Sequence, residues 1–231
     1  MKKLLIIALG LALTPSAFAA NKELSTSEQK ASYTLGADLA KNFTDQGLKI
    51  DIKAFTLGLE DAIKHRPLRL TEEEMMSAIS DVKKEMLEKQ QAERKVIGDA
   101  NLKEGKAFLA NNAKKEGVIS LPSGVQYKVI TKGSGAQPTE NDTLIAHYSG
   151  TLIDGTEFDS SYKRGTPLKF QMSNVIKGWG EVMKLMNPGS KWEVYIPADM
   201  AYGAKGAGQV IGPHQTLIFT VELITFDSAA K

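Results

Sequence analysis

Residues able to make or break bonds are few in this chain, and they do not cluster. The three histidines, His65, His147 and His214, lie far apart, and the one ligand-type residue three or four positions from any of them is Asp61 before His65, so no zinc-type set forms from sequence neighbours. Each reads as a surface residue. Neither a G-x-S-x-G elbow nor an S-x-x-K paired with a downstream lysine motif occurs, which leaves serine-hydrolase chemistry without a home. The glycine-rich run Tyr202-Gly-Ala-Lys-Gly206-Ala-Gly208 lacks the G-K-[ST] ending and a following helix, so it does not read as a phosphate loop. The last hundred residues offer aromatic and branched apolar side chains instead. By spacing alone Phe158, Val175 and Phe219 read as ordinary core, and Tyr148, Asp159 and Tyr202 stand out among them as polar exceptions.

Composition narrows the setting. There is no cysteine, so no disulfide, thiolate metal site or thiol redox motif exists and stability must come from packing. A net charge of +2 is too small to argue for nucleic acid or an anionic membrane as partner. Met1-Lys2-Lys3, the apolar run from Leu4 to Leu13 and Ala17-Phe18-Ala19 have the layout of a secretory signal peptide, with cleavage expected after Ala19. The apolar run is too short for the ~20 residues of a membrane span. Export to a bacterial periplasm or beyond follows.

The elements that must position any site fall into three parts after residues 1–19: a helical unit over 20–70, a long helix over 71–114 and a strand-rich domain over 115–231. In the first part Ser25-x-x-Glu28 has the form of a capping box, and Ala31, Leu35, Leu39 and Phe43 follow on one helical face. Asp51 caps a second helix with Ile52, Phe55, Leu59, Ala62 and Ile63 as its stripe, stopped near His65 by Pro67. A unit of ~40 residues without disulfide or metal is usually too small to stand alone, so these two helices need a partner surface. Thr71-x-x-Glu74 opens the long helix. Its stripe of Met75, Ile79, Val82 and Met86 would continue onto Lys89 and Glu93, and a stretch polar all round reads as a solvated stalk. Further on, Val96, Ile97, Ala107, Phe108 and Leu109 are apolar enough to contact something, while Gly98 and Gly105 mark weak points at about 1 kcal/mol each.

The third part has strand periods. Val125, Tyr127 and Val129 alternate with polar residues, as do Leu168, Phe170 and Met172, and Trp192, Val194 and Ile196. Leu144 to Ile153 and Thr216 to Phe226 are longer strand candidates, and Asp154-Gly155 marks a hairpin. A short helix from Gly178 to Met186 offers Trp179, Val182, Met183 and Met186 to the sheet. The fold class is α+β: an antiparallel sheet wrapped on a short helix, preceded by helices.

Tyr148-Ser-Gly150, Asp154-Gly-Thr-Glu-Phe158-Asp159-Ser-Ser, Val175-Ile176-Lys-Gly178-Trp179, Ile196-Pro197 and Ala201-Tyr202-Gly203 follow one another in an order that resembles the FKBP-type peptidyl-prolyl isomerases. The resemblance covers almost the whole third part and implies a site that needs no nucleophile, metal or cofactor. It gathers Tyr148, Phe158, Asp159, Val175, Ile176, Trp179, Tyr202, Ile211 and Phe219 into one proline-binding pocket. Trp179 is implied as its floor, with Phe158, Phe219, Val175 and Ile176 as walls. The Tyr202 hydroxyl and the Ile176 amide would bond the substrate backbone, and Asp159 would be held by Tyr148 and Arg164. Leu168 stands where many single-domain members have an aromatic residue, Ala207, Gly208 and Gln209 replace the usual His-Pro-Gly, and Gly212 precedes Pro213 where a proline is common. These departures spare the floor and bear on substrate preference and on binding of macrolide inhibitors of the rapamycin type.

Farther upstream, Ser32-Tyr-Thr-Leu-Gly-Ala-Asp38, Leu59-Glu-Asp-Ala62 and Leu121-Pro-Ser-Gly-Val-Gln-Tyr-Lys128 extend the resemblance to the macrophage infectivity potentiator type of FKBP. That type implies a homodimer through intertwined N-terminal helices, prolyl isomerisation with chaperone-like holding of exported chains, and a periplasmic, outer-membrane or surface location. A second reading stays open: a non-catalytic dimeric chaperone or host-surface ligand that only captures proline-containing segments.

Overall fold

A computed structural model describes residues 24–228 of the chain; the expected signal peptide and its cleavage point lie outside the described residues. The fold divides into two compact units between Ile79 and Ser80. It has the expected α+β order, with helices first and a sheet last.

Helix α1 runs Ser27–Asp45, α2 Ile52–Ile63 and α3 Glu72–Asn112. The first capping box is one residue later than the sequence pattern indicated. Thr26 caps Gln29, and Gln29 returns to the Thr26 amide, because a glutamine serves at the third position as well as a glutamate. The end of α1 is a Schellman motif: Gly47, at φ +73°, and Leu48 donate to the carbonyls of Thr44 and Phe43. His65 and Arg66 close α2 in the same way onto Ala62 and Asp61, with His65 at φ +50° in the left-handed region. Phe43 meets Phe55 edge to face at 5.9 Å. Asp61, clasped by Arg69 at 2.9 Å and Arg66 at 3.5 Å, is the one buried residue of α1 and α2. Their apolar stripes lie open: Leu35 is 72% exposed and Ile52 77%.

The second unit holds seven strands, β1 Val118–Ser120, β2 Gln126–Thr131, β3 Thr143–Leu152, β4 Glu157–Ser160, β5 Leu168–Gln171, β6 Lys191–Ile196 and β7 Leu217–Asp227. All pairings are antiparallel in the order β1-β2-β6-β7-β3-β4, and β5 pairs the other half of the β3 edge that β4 uses. Along β3 every second residue is buried, Leu144, Ala146, Tyr148, Gly150 and Leu152, as a sheet with one covered face requires. Helix α4, Ser161–Arg164, and α5, Lys177–Met183, complete the unit. Trp179, Val182 and Met183 of α5 join Val194, Ile196, Leu217, Phe219 and Val221 in the core. Gly178 permits this approach, since a Cβ there would stand 2.5 Å from Ile196 Cγ2.

The far end of α3 departs from the sequence reading. Gly98 and Gly105 are buried contact points and not weak ones: a Cβ on Gly98 would lie 3.0 Å from His214 Cδ2, and one on Gly105 2.3 Å from Thr216 Oγ1. Val96 and Ile97, expected to make contact, are 70% and 52% exposed. Phe108 does make it, against Tyr195 at 6.0 Å, on the sheet face opposite Val194. Gln126 of β2 secures the helix end, accepting from Asn112 and donating to the Leu109 carbonyl, both at 3.0 Å. That carbonyl also accepts from the Ala113 amide at 2.9 Å, so the side-chain bond is its second. Nor are two of the histidines plain surface residues: His147 stacks on Tyr162 and bonds Ser161 Oγ at 2.9 Å, and His214 is wedged beside Gly98.

Candidate active site

A cavity of about 570 Å³ opens between β3, β4, α5 and the long segment 197–216 that joins β6 to β7, within the size range of small-ligand sites. Tyr148, Phe158, Asp159, Leu168, Val175, Ile176, Trp179, Tyr202, Ile211 and Phe219 all line it. Arg164 does not; it stands behind Asp159 and Tyr148. Asn174, Val210 and the Ala207-Gly208-Gln209 stretch complete the wall.

Each position follows from its element. Tyr148 faces inward from β3 and Phe219 from β7, with Gly150 directly opposite Phe219 in register. Gly150 contributes by lacking a side chain: a Cβ there would lie 2.6 Å from two Phe158 ring carbons and 2.8 Å from Phe219. Nothing in the sequence singles Gly150 out, since it carries no side chain. Its value is visible only once register brings both rings over it. Trp179, 4% exposed, is the hub. Its ring lies 5.2 Å from Tyr148 and 5.3 Å from Phe219, both edge to face, and 5.4 Å from Phe170. Phe158 meets Phe219 edge to face at 5.5 Å. Such geometry suits aromatic quadrupoles and fixes the rings against one another.

Polar groups occupy the rim. The Tyr148 hydroxyl donates to Asp159, Arg164 pairs with the other Asp159 oxygen, and Arg164 also donates to the Tyr148 hydroxyl at 2.8 Å. Helix α4 presents Arg164, started by the Ser160 cap and ended by Gly165 at φ +73°. Burial pushes the Asp159 carboxyl up, but the Tyr148 hydroxyl, the Arg164 guanidinium and the Ser160 amide together hold it below its usual value. Burial, and then the Asp159 bond, raise Tyr148. Tyr202 is raised by burial and by the charge of Asp159, and no described residue hydrogen-bonds its hydroxyl. It therefore remains a neutral donor at the cavity mouth. Across the cavity, the Ile176 amide donates to no backbone carbonyl among the described residues. Two donors free of partners among the described residues, beside an aromatic floor, can hold an extended backbone on either side of an apolar ring.

The flap opposite α5 is a tight hairpin. Ala207 and Ile211 exchange hydrogen bonds of 2.9 and 3.1 Å. Gly206, at φ +67°, sits where a Cβ would meet the Ile211 carbonyl at 2.2 Å. The glycines of this run thus serve a turn. No group of three or more His, Cys, Asp or Glu suited to a metal occurs among the described residues.

Comparison with known proteins agrees with this geometry. Residues 134–224 match the model of the FKBP-type peptidyl-prolyl cis-trans isomerase, and residues 28–129 match the domain amino terminal to FKBP-type peptidyl-prolyl isomerase. The chain is 45% identical over 231 residues to the outer membrane protein MIP of Legionella longbeachae, covering 100% of this chain and 99% of that one. It is 43% identical over 227 residues to the peptidyl-prolyl cis-trans isomerase Mip of Coxiella burnetii, covering 97% and 98%. The crystal structure of FkpA from Escherichia coli superimposes with a TM-score of 0.73 at 34% identity, over 90% of this chain and 100% of that one. With both family models matched in order and full-length relatives above 40% identity, the chain belongs to the FKBP-type peptidyl-prolyl cis-trans isomerases.

Proposed function

We propose that the cavity above Trp179 is the isomerase site and that it works by desolvation and positioning. A prolyl imide resists rotation by ~18–20 kcal/mol because resonance flattens it, although its cis and trans ends differ by only ~0.5–1 kcal/mol. No bond need break. At the twisted midpoint the carbonyl loses charge separation, so removing the imide from water costs the planar form more than the twisted one. Phe158, Trp179 and Phe219 supply that dry surface. Tyr202 donates to a substrate carbonyl, and the Ile176 amide holds the chain beyond the proline. Asp159, ionised and braced by Tyr148 and Arg164, acts on the imide carbonyl only through its field.

The observation that carries this reading is the separation of roles: an apolar floor with the Tyr202 donor and the Asp159 carboxylate confined to the rim. The test is catalysed isomerisation of an Xaa-Pro peptide by the signal-free protein. Tyr202→Phe, which removes one hydrogen bond, is expected to lower kcat/KM about three- to tenfold, and Asp159→Leu by a similar or smaller factor in a folded protein. An Asp159→Leu variant with full activity would remove the electrostatic role. Proline-peptide binding without acceleration would make the chain a capture module.

The same reading extends to the whole chain. The open stripes of α1 and α2 and the similarity of residues 28–129 to the family's amino-terminal domain support a two-fold homodimer through residues 24–86. Two pockets on one assembly would gain avidity for an unfolded client long enough to reach both. Exported proline-containing chains as clients, macrolides of the rapamycin type as inhibitors and a periplasmic or surface location belong to the same proposal. No described helix is long and apolar enough to cross a membrane.

A further inference from the structure

We propose that Arg94 and Asn101 of α3 are positioning residues of the isomerase site, clamping the 197–216 segment so that Tyr202 and the Ala207–Ile211 flap stay in place over the cavity. This rests on the reading of that cavity as the catalytic pocket.

The segment's own bonds are local. Gly206 donates to the Tyr202 carbonyl at 3.2 Å, Ala207 pairs with Ile211, and His214 donates to Gly203 at 2.8 Å. These fold the segment on itself without attaching it to the sheet. Met200, Ala201 and Ile211 pack against the core, and the hydrogen bonds that anchor the segment on either side of the flap come from one face of α3. Arg94 Nη2 donates to the Lys205 carbonyl at 2.8 Å, and Asn101 Nδ2 donates to the Pro213 carbonyl at 2.8 Å. Between and beyond them Gly98 makes room for Pro213 and His214, and Gly105 for Thr216. Positions 94, 98, 101 and 105 recur every three or four residues, so they share one helical face. That face meets the segment on both sides of the flap hairpin, at Lys205 before it and Pro213 after it.

A tethered flap is a population argument. If only a fraction of molecules hold Tyr202 and the flap in the binding arrangement, apparent affinity and kcat/KM fall together by that fraction. The two tethers are single hydrogen bonds, each able to shift such an equilibrium about three- to tenfold.

The test uses the full chain with Asn101→Ala and Arg94→Ala, and Arg94→Lys as the conservative control. Arg94 is exposed, so its variants fold even where an Asn101 variant does not. Hydrogen exchange within 197–216 is expected to speed up while β2 and β7 stay protected. Affinity for a proline-containing peptide and kcat/KM are expected to fall by the same factor, about three- to tenfold, with partial recovery in Arg94→Lys. Combined with Tyr202→Phe, Asn101→Ala or Arg94→Ala should cost less than the product of the single effects, because the tether acts partly through Tyr202. Unchanged exchange in the segment would overturn the clamp, as would faster exchange with unaltered kcat/KM. Fully multiplicative losses would overturn its action through Tyr202. Failure of the pocket reading is seen separately, as a Tyr202→Phe single variant that retains full activity.

Discussion

Asp159 shows how a carboxylate can sit at an apolar cavity without becoming an acid. Its bonds to Tyr148 and Arg164 favour the ionised form more than burial disfavours it, and Tyr148 keeps its proton well into the alkaline range. The sign follows from linkage. A carboxyl whose folded value lies below its usual 3.8 contributes stability that is fully present above 3.8 and is lost as pH falls through the folded value. A profile of kcat/KM with no inflection from about pH 5 to 9 is therefore expected, with local loosening of α4 only in stronger acid. An inflection near neutrality in that profile would mean that another group controls the site. At this scale the sequence was legible for the polar residues, because a tyrosine or aspartate among strand residues is conspicuous. It was less so for Phe158 and Phe219. Both pack on the core and line the cavity, and alternation cannot separate a ring that faces other rings from one that faces a ligand.

Elements place these residues through close approaches that only glycine allows. At Gly150, β3 brings its backbone against Phe158 and Phe219, so Gly150→Ala must push a wall ring into the cavity. We expect a loss of about 1–3 kcal/mol in stability, in line with overpacking elsewhere, and a larger proportional loss of kcat/KM than the melting temperature alone would suggest. Equal activity with a shifted melting point would show that the rings yield without narrowing the site. The positions of most strands and the α5 contact surface could be read in outline from period-two alternation, the Asp154-Gly155 hairpin and the apolar residues of 178–186, whereas the order of the strands could not. The seam of α3 could not. Its contact face consists of Arg94, Gly98, Asn101, Gly105 and Asn112 around Phe108, and a search for apolar periodicity passes over small and amide side chains. Apolar character points to Val96 and Ile97 as well, and both are exposed.

For the whole molecule, the two units differ in what holds them. The second owns a buried aromatic and aliphatic core, whereas α1 and α2 bury only Asp61 and leave Leu35, Ile52, Leu59 and Ile63 open. Structure in the first unit is therefore expected to depend on association, and thermal unfolding to show one transition that rises with protein concentration and one that does not. Light scattering should give twice the chain mass, with Leu35→Glu shifting it toward one. A single concentration-independent transition at monomer mass would end the dimer proposal. The need for a partner surface was already visible in the sequence as two short amphipathic stripes without a third element to cover them.

The exposed middle of α3 has a different kind of consequence. From Glu88 to Glu93 every side chain lies in solvent, and the support comes from pairs along the helix itself, such as Lys89 with Glu93. Heritable variation should accordingly be distributed unevenly along one continuous helix. Up to the turn that carries Arg94, almost any strong helix former with alternating charge would serve, and drift there would leave no structural trace. A few residues later, at 98 and 105, a single methyl group would force the neighbouring segment to shift.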